Sequence, residues 1–153
     1  MWGNREKMTT VNNEIVINAP LEKIFNFVVK PSNLPQIWPN LVEIKDEQLS
    51  PDGRYTTRWT YKMNEIPFHG FALVTELAPN SYFTGKTWGA INSIVTWRFY
   101  TKDSKTRITV TTDYQVSLRV LKLLPKVFIS KMIEQETNLV LGNLREFLGK
   151  TNP

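Results

Sequence analysis

Apolar and polar side chains alternate with a period of two between residues 41 and 117, which is the pattern of strands with one buried face. The clearest case is residues 54–63, where aromatic side chains alternate with arginine, threonine and lysine. Turn-forming residues interrupt the alternation at 51–53, 79–81, 89 and 102–105. The segment therefore predicts about six successive strands, joined by short turns into an antiparallel meander.

Helical spacing flanks this segment on both sides. A β-branched strand at residues 14–18 precedes a helix at 20–29, with Asn18 predicted as its cap, and a second short helix at 32–37. After Pro125 the helical period runs to Leu148 and ends at Gly149. This order predicts an α+β fold, in which a curved antiparallel sheet of about seven strands wraps on one long C-terminal helix.

Length and composition fit one domain. We predict a flexible leader at residues 1–10 and a single domain at 11–150, from a chain of 153 residues. The chain contains no cysteine, which excludes disulfides and thiolate sites, and one histidine, His69, which excludes a multi-histidine zinc site. No apolar run suits a membrane span and no signal peptide is evident. These features predict a cytoplasmic protein without a metal or cofactor.

Positive charge is concentrated in the last third of the chain. The net charge is +5, and residues 101–153 hold nine Lys and Arg against five Asp and Glu. Arg119, Lys122 and Lys126 alternate there with leucines, a composition that could contact lipid headgroups or an acidic partner. The plainer interpretation is a solvated helix face.

The element order resembles the START-like, or SRPBCC, superfamily, which includes polyketide cyclase/dehydrase-type proteins, coenzyme-Q-binding proteins and the birch-pollen-allergen family. The segment Ile15–Phe25 and the pair Trp38-Pro39 carry the resemblance, and residues 74–79, 106–111 and 141–148 support it. The match spans residues 11–149. It implies a helix-grip fold around an apolar cavity, but not one reaction, because this fold hosts binders, transporters and enzymes.

Aromatic side chains on the strand faces are the first candidate site, because Tyr and Trp offer apolar area and one polar tip. The helical stripe of the last helix adds pocket-facing candidates. The predicted ligand-binding set is Trp38, Tyr55, Trp59, Tyr61, Tyr82, Trp97, Phe99, Tyr114, Met132, Glu136, Val140 and Asn143. Simple core packing of the same side chains is the alternative.

Glu136 is the best catalytic candidate. It falls on the apolar stripe that includes Ile129, Ile133, Val140 and Phe147, with Leu139 beside it. A carboxylate on a buried face is unfavourable unless it is paired or protonated, so such a residue points to a functional role. The alternative is that Glu136 lies at the edge of the stripe and reaches water or a strand cation.

Three functions remain open on this basis. The first is binding or transport of a small hydrophobic ligand or lipid in a cavity between sheet and helix. The second is a cyclase/dehydrase-like enzyme that uses a pocket acid without metal. The third is an interaction module that contacts a membrane or partner through the basic C-terminal third. Nucleic-acid binding is not expected, because the aromatic residues alternate onto the face opposite Arg54 and Arg58, and no oligomeric state is predicted.

Overall fold

The computed structural model of the chain describes residues 8–149. The elements occur in the order β1 (Thr9–Ile17), α1 (Leu21–Val28), a 3₁₀ helix (Pro31–Gln36), β2 (Leu41–Leu49), β3 (Tyr55–Met63), β4 (Ile66–Ala78), β5 (Tyr82–Gly89), β6 (Ile91–Lys102), β7 (Lys105–Val116), α2 (Leu118–Leu121) and α3 (Lys126–Leu148).

The seven strands form one antiparallel sheet in the order β1-β7-β6-β5-β4-β3-β2. Strands β2 to β7 pair with their neighbours in sequence, so the predicted meander is confirmed. Strand β1 joins the sheet at the far end, pairing with β7 from Thr9↔Tyr114 to Ile17↔Thr106. With α3 packed across β1, this is the helix-grip arrangement predicted from the sequence.

The start of β1 differs from the prediction. The strand begins at Thr9, so Thr9 and Thr10 belong to the sheet, whereas residues 1–7 of the predicted leader lie outside the described residues, as does residue 150. The polar residues of 9–14 concealed the strand, because one of its faces is exposed. The short helix α2 was also not predicted. Its N-cap is Ser117, whose hydroxyl accepts a hydrogen bond from Val120 N at 3.3 Å.

The two short helices after β1 lie within two residues of their predicted bounds. Helix α1 buries Ile24, Phe25 and Val28, and its N-cap position is Pro20 rather than the predicted Asn18, with no side-chain cap. The following helix is 3₁₀ rather than α and contains Pro35 in its interior. Proline lacks the amide proton that a longer α-helix would need at that position, so the helix stays short.

Helix α3 covers the inner face of the sheet. It buries Ile129, Glu136, Thr137, Val140, Leu141, Leu144 and Leu148, a set with helical spacing. Phe147, which the predicted stripe placed inward, is 49% exposed, and Leu139, which was predicted to lie beside Glu136, is 51% exposed. The buried face is centred on Val140, Leu141 and Leu144, so Leu139 lies beyond its edge, and Phe147 packs on Phe27 with ring centroids 5.1 Å apart.

The core consists of two packed clusters. The larger lies where α1 and the C-terminal half of α3 meet β1, β6 and β7, and Phe25 joins Phe83 and Phe99 there at centroid distances of 5.9 and 5.2 Å. The smaller lies under α2 and the start of α3, with Val120, Leu124 and Ile129 at its centre. Among residues 8–149, no helix has the length and apolar content to cross a membrane.

Candidate functional site

A cavity of about 230 Å³ lies between the inner face of the sheet and α3, near the 3₁₀ helix. Its walls are mostly apolar and come from β2 to β7, from the 3₁₀ helix and the residues after it, and from α3. The aromatic face predicted for β3 lines it through Tyr55, Trp59 and Tyr61. Inward-facing positions on β6 add Val95 and Trp97, as their alternation indicates.

Small side chains at inward positions leave this space unfilled. Gly85 on β5 pairs with Val95, which in turn pairs with Thr112 on β7. On the other side Gly85 pairs with Val74 of β4. A Cβ atom built on Gly85 would have only Leu73 O within 4 Å, at 3.9 Å, so this position has room for a side chain. The cavity therefore results from residue size at a few positions of a regular sheet.

The Trp59 ring is held against the part of the cavity wall that β4 forms. It lies over Gly70 of β4, and its Nε1 donates a hydrogen bond to Phe71 O at 3.0 Å. A Cβ atom on Gly70 would lie 2.1 Å from the Trp59 ring and 2.1 Å from Trp88 O. Only glycine therefore allows the indole to lie flat on the sheet at this place.

A polar cluster interrupts the apolar wall at Glu136. The carboxylate is 7% exposed and lines the cavity, as the helical stripe predicted. Asn40 Nδ2 donates to Glu136 Oε2 at 2.7 Å, and the Tyr61 hydroxyl donates to Glu136 Oε1. The cluster joins the loop before β2, the strand β3 and the helix α3. Two donors therefore compensate a charge that would otherwise be costly to bury.

The Tyr61 hydroxyl remains a donor over a wide pH range. Burial raises the pKa of Tyr61 well above its usual range, and the adjacent Glu136 carboxylate raises it further. Because its proton is directed to Glu136, the phenol oxygen still has lone pairs with which it can accept a hydrogen bond.

The indole of Trp38 places a further hydrogen-bond donor beside this cluster. Trp38 lines the cavity, and its indole is close enough to the Tyr61 oxygen to lower the pKa of that phenol slightly against the larger opposing effects. Its buried Nε1 nevertheless has no acceptor at hydrogen-bonding geometry in the described part of the chain. A buried donor without a partner costs about 1–3 kcal/mol and is uncommon in folded proteins. Trp38 Nε1 is thus a buried donor without a partner beside the polar cluster.

The structure brings together seven of the twelve residues predicted for the site. Those on the cavity are Trp38, Tyr55, Trp59, Tyr61, Trp97, Tyr114 and Glu136. Tyr114 also donates to Ser130 Oγ at 3.1 Å, which ties β7 to α3.

The other five predicted residues lie away from the cavity. Tyr82 is on the outer face, where its ring lies under Arg98 at 5.1 Å and its hydroxyl donates to Glu76. Phe99 and Val140 are buried in the larger cluster. The remaining two are on other sides of α3: Asn143 donates to Ile37 O at 2.9 Å, and Met132 lines a depression on the surface of α3.

Sequence reasoning missed Asn40 and the small residues Ala72, Gly85 and Ser93. The alternation Phe83-Gly85-Thr87 on β5 is a signal that could have indicated the space at Gly85. Asn40 had no local signal, because it meets Glu136 across 96 residues of sequence.

Two other kinds of site, a metal site and one built on His69, find little support among residues 8–149. They contain no group of three or more His, Asp or Glu side chains arranged to hold a metal ion. His69 is exposed on the outer face, and its Nδ1 lies 3.0 Å from Thr60 Oγ1.

Comparisons with known proteins agree with this architecture. A family profile described as "Polyketide cyclase / dehydrase and lipid transport" matches residues 8–149. No curated protein sequence matches the chain.

Solved structures show the same fold at low sequence identity. The Zhui aromatase/cyclase from Streptomyces sp. R1128 superposes with a TM-score of 0.79 at 14% identity, covering 92% of this chain and 93% of that one. A START superfamily protein from Mycobacterium smegmatis gives 0.78 at 16% identity, covering 94% and 99%. The protein TTHA0849 from Thermus thermophilus gives 0.72 at 19% identity, covering 92% and 97%. The chain therefore belongs to the polyketide cyclase/dehydrase and lipid transport family.

Proposed function

We propose that this protein binds a small, mostly apolar molecule that carries one hydroxyl group, within the cavity between the sheet and α3. The observation that carries the proposal is the unpaired Trp38 Nε1 beside the Tyr61 hydroxyl, in a wall that is otherwise largely apolar. Ligand sites of this type combine apolar walls with a few placed polar groups.

The size of the cavity limits the ligand. A volume of about 230 Å³ lies just below the usual range for ligand sites, about 300–1,000 Å³. This space suits a molecule of one or two rings. A lipid with two acyl chains would need the cavity to enlarge.

Hydrogen-bond complementarity selects the polar group. Trp38 Nε1 has almost no accessible surface, so the ring has to turn slightly to present it to the cavity. A ligand hydroxyl can then accept from Nε1 and at the same time donate to the Tyr61 oxygen, whose own proton is directed to Glu136. A carbonyl could accept from Trp38 but could not use the Tyr61 lone pair. Because a buried donor without a partner is unfavourable, pairing Trp38 should contribute to both affinity and specificity.

The second candidate is a cyclase/dehydrase-type enzyme, and the buried Tyr61–Glu136 pair at the cavity wall is the observation that favours it. A general base has to reach the proton that it abstracts. Each Glu136 oxygen already accepts one hydrogen bond, from Asn40 or Tyr61, and keeps one further lone pair for a substrate proton. Binding needs no proton transfer, and we therefore place it first.

Equilibrium dialysis with 2-naphthol and naphthalene tests the proposal, because the two probes differ by one hydroxyl group. We expect saturable one-to-one binding of both, with 2-naphthol bound about tenfold more tightly, the effect of one to two net hydrogen bonds. In Trp38→Phe, which keeps an aromatic ring and removes the donor, this preference should largely disappear.

Trp97→Phe is the matched control, since it shortens another indole of the same cavity wall. This change should lower the affinity for both probes to a similar extent and keep the preference for 2-naphthol over naphthalene. Failure of both probes to bind would refute the proposed function. A preference that survives in Trp38→Phe would show that the hydroxyl is recognised elsewhere.

A further inference from the structure

Cationic and apolar side chains alternate on the exposed surface formed by α2, the turn after it and the start of α3. The apolar members are Leu118, Leu123, Val127 and Phe128, which are 78%, 55%, 71% and 38% exposed. The cationic members, Arg119, Lys122, Lys126 and Lys131, are also exposed. We call these eight residues the α2–α3 patch. Large apolar side chains are seldom grouped on the surface without an interaction partner.

The charge of the α2–α3 patch has one sign. No Asp or Glu occurs between Asp113 and Glu134. The ion pairs found among residues 8–149 join Lys30 to Glu47, Arg54 to Asp52, Arg58 to Asp46 and Arg107 to Glu14, so none of them neutralises a cation of the patch. The partner that fits is therefore both anionic and able to bury apolar side chains.

Rigid packing holds the patch in place. Val120, Leu124 and Ile129 point inward from the same segment and are at most 4% exposed. They form the smaller core cluster together with Met63 and Phe68 of the sheet. The exposed leucines and valine are thus the outward half of an ordered amphipathic segment.

The α2–α3 patch also adjoins the surface depression on α3. Phe128 and Lys131 of the patch line the surface depression on α3, together with Met132, Gln135 and Leu139. Glu136 borders both this depression and the cavity. A surface that covered the patch would therefore also cover part of this depression.

We propose that the α2–α3 patch docks on an anionic lipid bilayer, with its apolar side chains at the headgroup–acyl boundary and its cations on lipid phosphates. Segments that combine exposed Leu and Phe with Lys and Arg bind such interfaces through apolar burial and electrostatic attraction. An acidic protein would satisfy the cations, but it would not bury four apolar side chains spread between them as readily. The surface is separate from the cavity, so the docking does not depend on the ligand proposed above.

Vesicle co-sedimentation of the full chain tests the docking, using phosphatidylcholine vesicles with and without phosphatidylglycerol. We expect partition only onto the anionic vesicles, weakened by high salt. Each cation near the surface contributes about fivefold to partition, so Arg119→Gln/Lys122→Gln/Lys126→Gln should lower it by about a hundredfold. Leu118→Ser/Leu123→Ser/Val127→Ser keeps the charge and should lower it as well.

Lys45→Gln/Lys102→Gln/Lys105→Gln is the matched control, because it removes the same charge from exposed positions outside the patch. It should retain nearly all of the partition. Equal losses in the two Gln variants would show that net charge alone drives binding and would overturn the proposal. So would equal partition onto neutral vesicles, or no partition at all. Sedimentation velocity on the same samples would then show whether the patch instead joins two copies of the chain.

Discussion

The two halves of the interior are built on one continuous sheet but are filled very differently. In the packed half, Phe99 and Ile108 pair across β6 and β7 and belong to the same buried cluster as Phe25 and Leu144. Four residues further along β6 and β7, Val95 and Thr112 form a row with Gly85 of β5, and this row lines the open cavity. The backbone pairing continues unchanged between the two rows. A binding cavity can therefore be made by the size of side chains alone.

Helix α3 repeats this contrast along its length. Its C-terminal half presents Val140, Leu141 and Leu144 to the sheet, whereas its middle presents Glu136 and Thr137 to the cavity. We infer that the packed half supplies most of the stability and allows the other half to keep an unfilled volume and a buried charge. The comparison can be tested by changing the stability of each half separately.

The largest loss of stability is expected from Leu144→Ala. Leu144 is fully buried in the packed half, so the change removes apolar contacts and leaves a void. Such changes lower the free energy of unfolding by about 2–5 kcal/mol. Urea denaturation followed by circular dichroism would measure it. Leu139→Ala is the control, because it makes the same change on the same helix at a half-exposed position, and it should alter stability by less than about 0.5 kcal/mol. Similar losses in the two variants would contradict the contrast.

Tyr61→Phe should have an intermediate effect, because it removes one of the two donors to the buried Glu136 carboxylate. We expect a loss of about 1–3 kcal/mol at neutral pH, measured by the same urea denaturation. Tyr82→Phe makes the same change on the outer face and should be nearly neutral.

The effect of Tyr61→Phe should also depend on pH in one direction. The pKa of Tyr61 is raised on folding, so the unfolded chain releases this proton first, above a pH of about 10. The stabilisation is therefore complete below that pH and declines as the pH rises further, by up to about 1.4 kcal/mol per pH unit. The difference between wild type and Tyr61→Phe should shrink accordingly. A constant difference across this range would show that folded Tyr61 does not retain its proton.

The smallest change in stability is expected from Gly85→Leu, which adds a side chain to the open row. Since a Cβ atom has room there, and glycine is unfavourable within a strand, the free energy of unfolding should change by less than about 1 kcal/mol. The affinity for 2-naphthol should nevertheless fall at least about tenfold, because the side chain occupies the cavity. Gly85→Ala, with one carbon, should bind almost normally. Tight binding by Gly85→Leu would place the probe elsewhere.

Much of this architecture could be predicted from the sequence, because local patterns determined it. Alternation placed Tyr55, Trp59 and Tyr61 on one face, and the helical stripe brought Glu136 to the interior. The prediction was wrong for Tyr82, which was included without determining the face on which β5 would present it. Trp38, Tyr61 and Glu136 were each predicted for the site, but their contacts could not be predicted, and Asn40 was missed. Trp38 and Asn40 reach the cluster from a loop whose path depends on the 3₁₀ helix and on tertiary packing.

The contacts around Gly70 have a consequence for how this pocket can diversify. A side chain at position 70 would meet both the Trp59 ring and the Trp88 carbonyl oxygen at 2.1 Å, and the second of these is a backbone atom of the neighbouring strand. Replacing the indole at 59 would therefore not be enough to admit a larger residue at 70, because β5 would still have to move. Ligand preference in descendants of this chain can thus change through position 59, whereas position 70 stays glycine for as long as β4 and β5 keep their pairing.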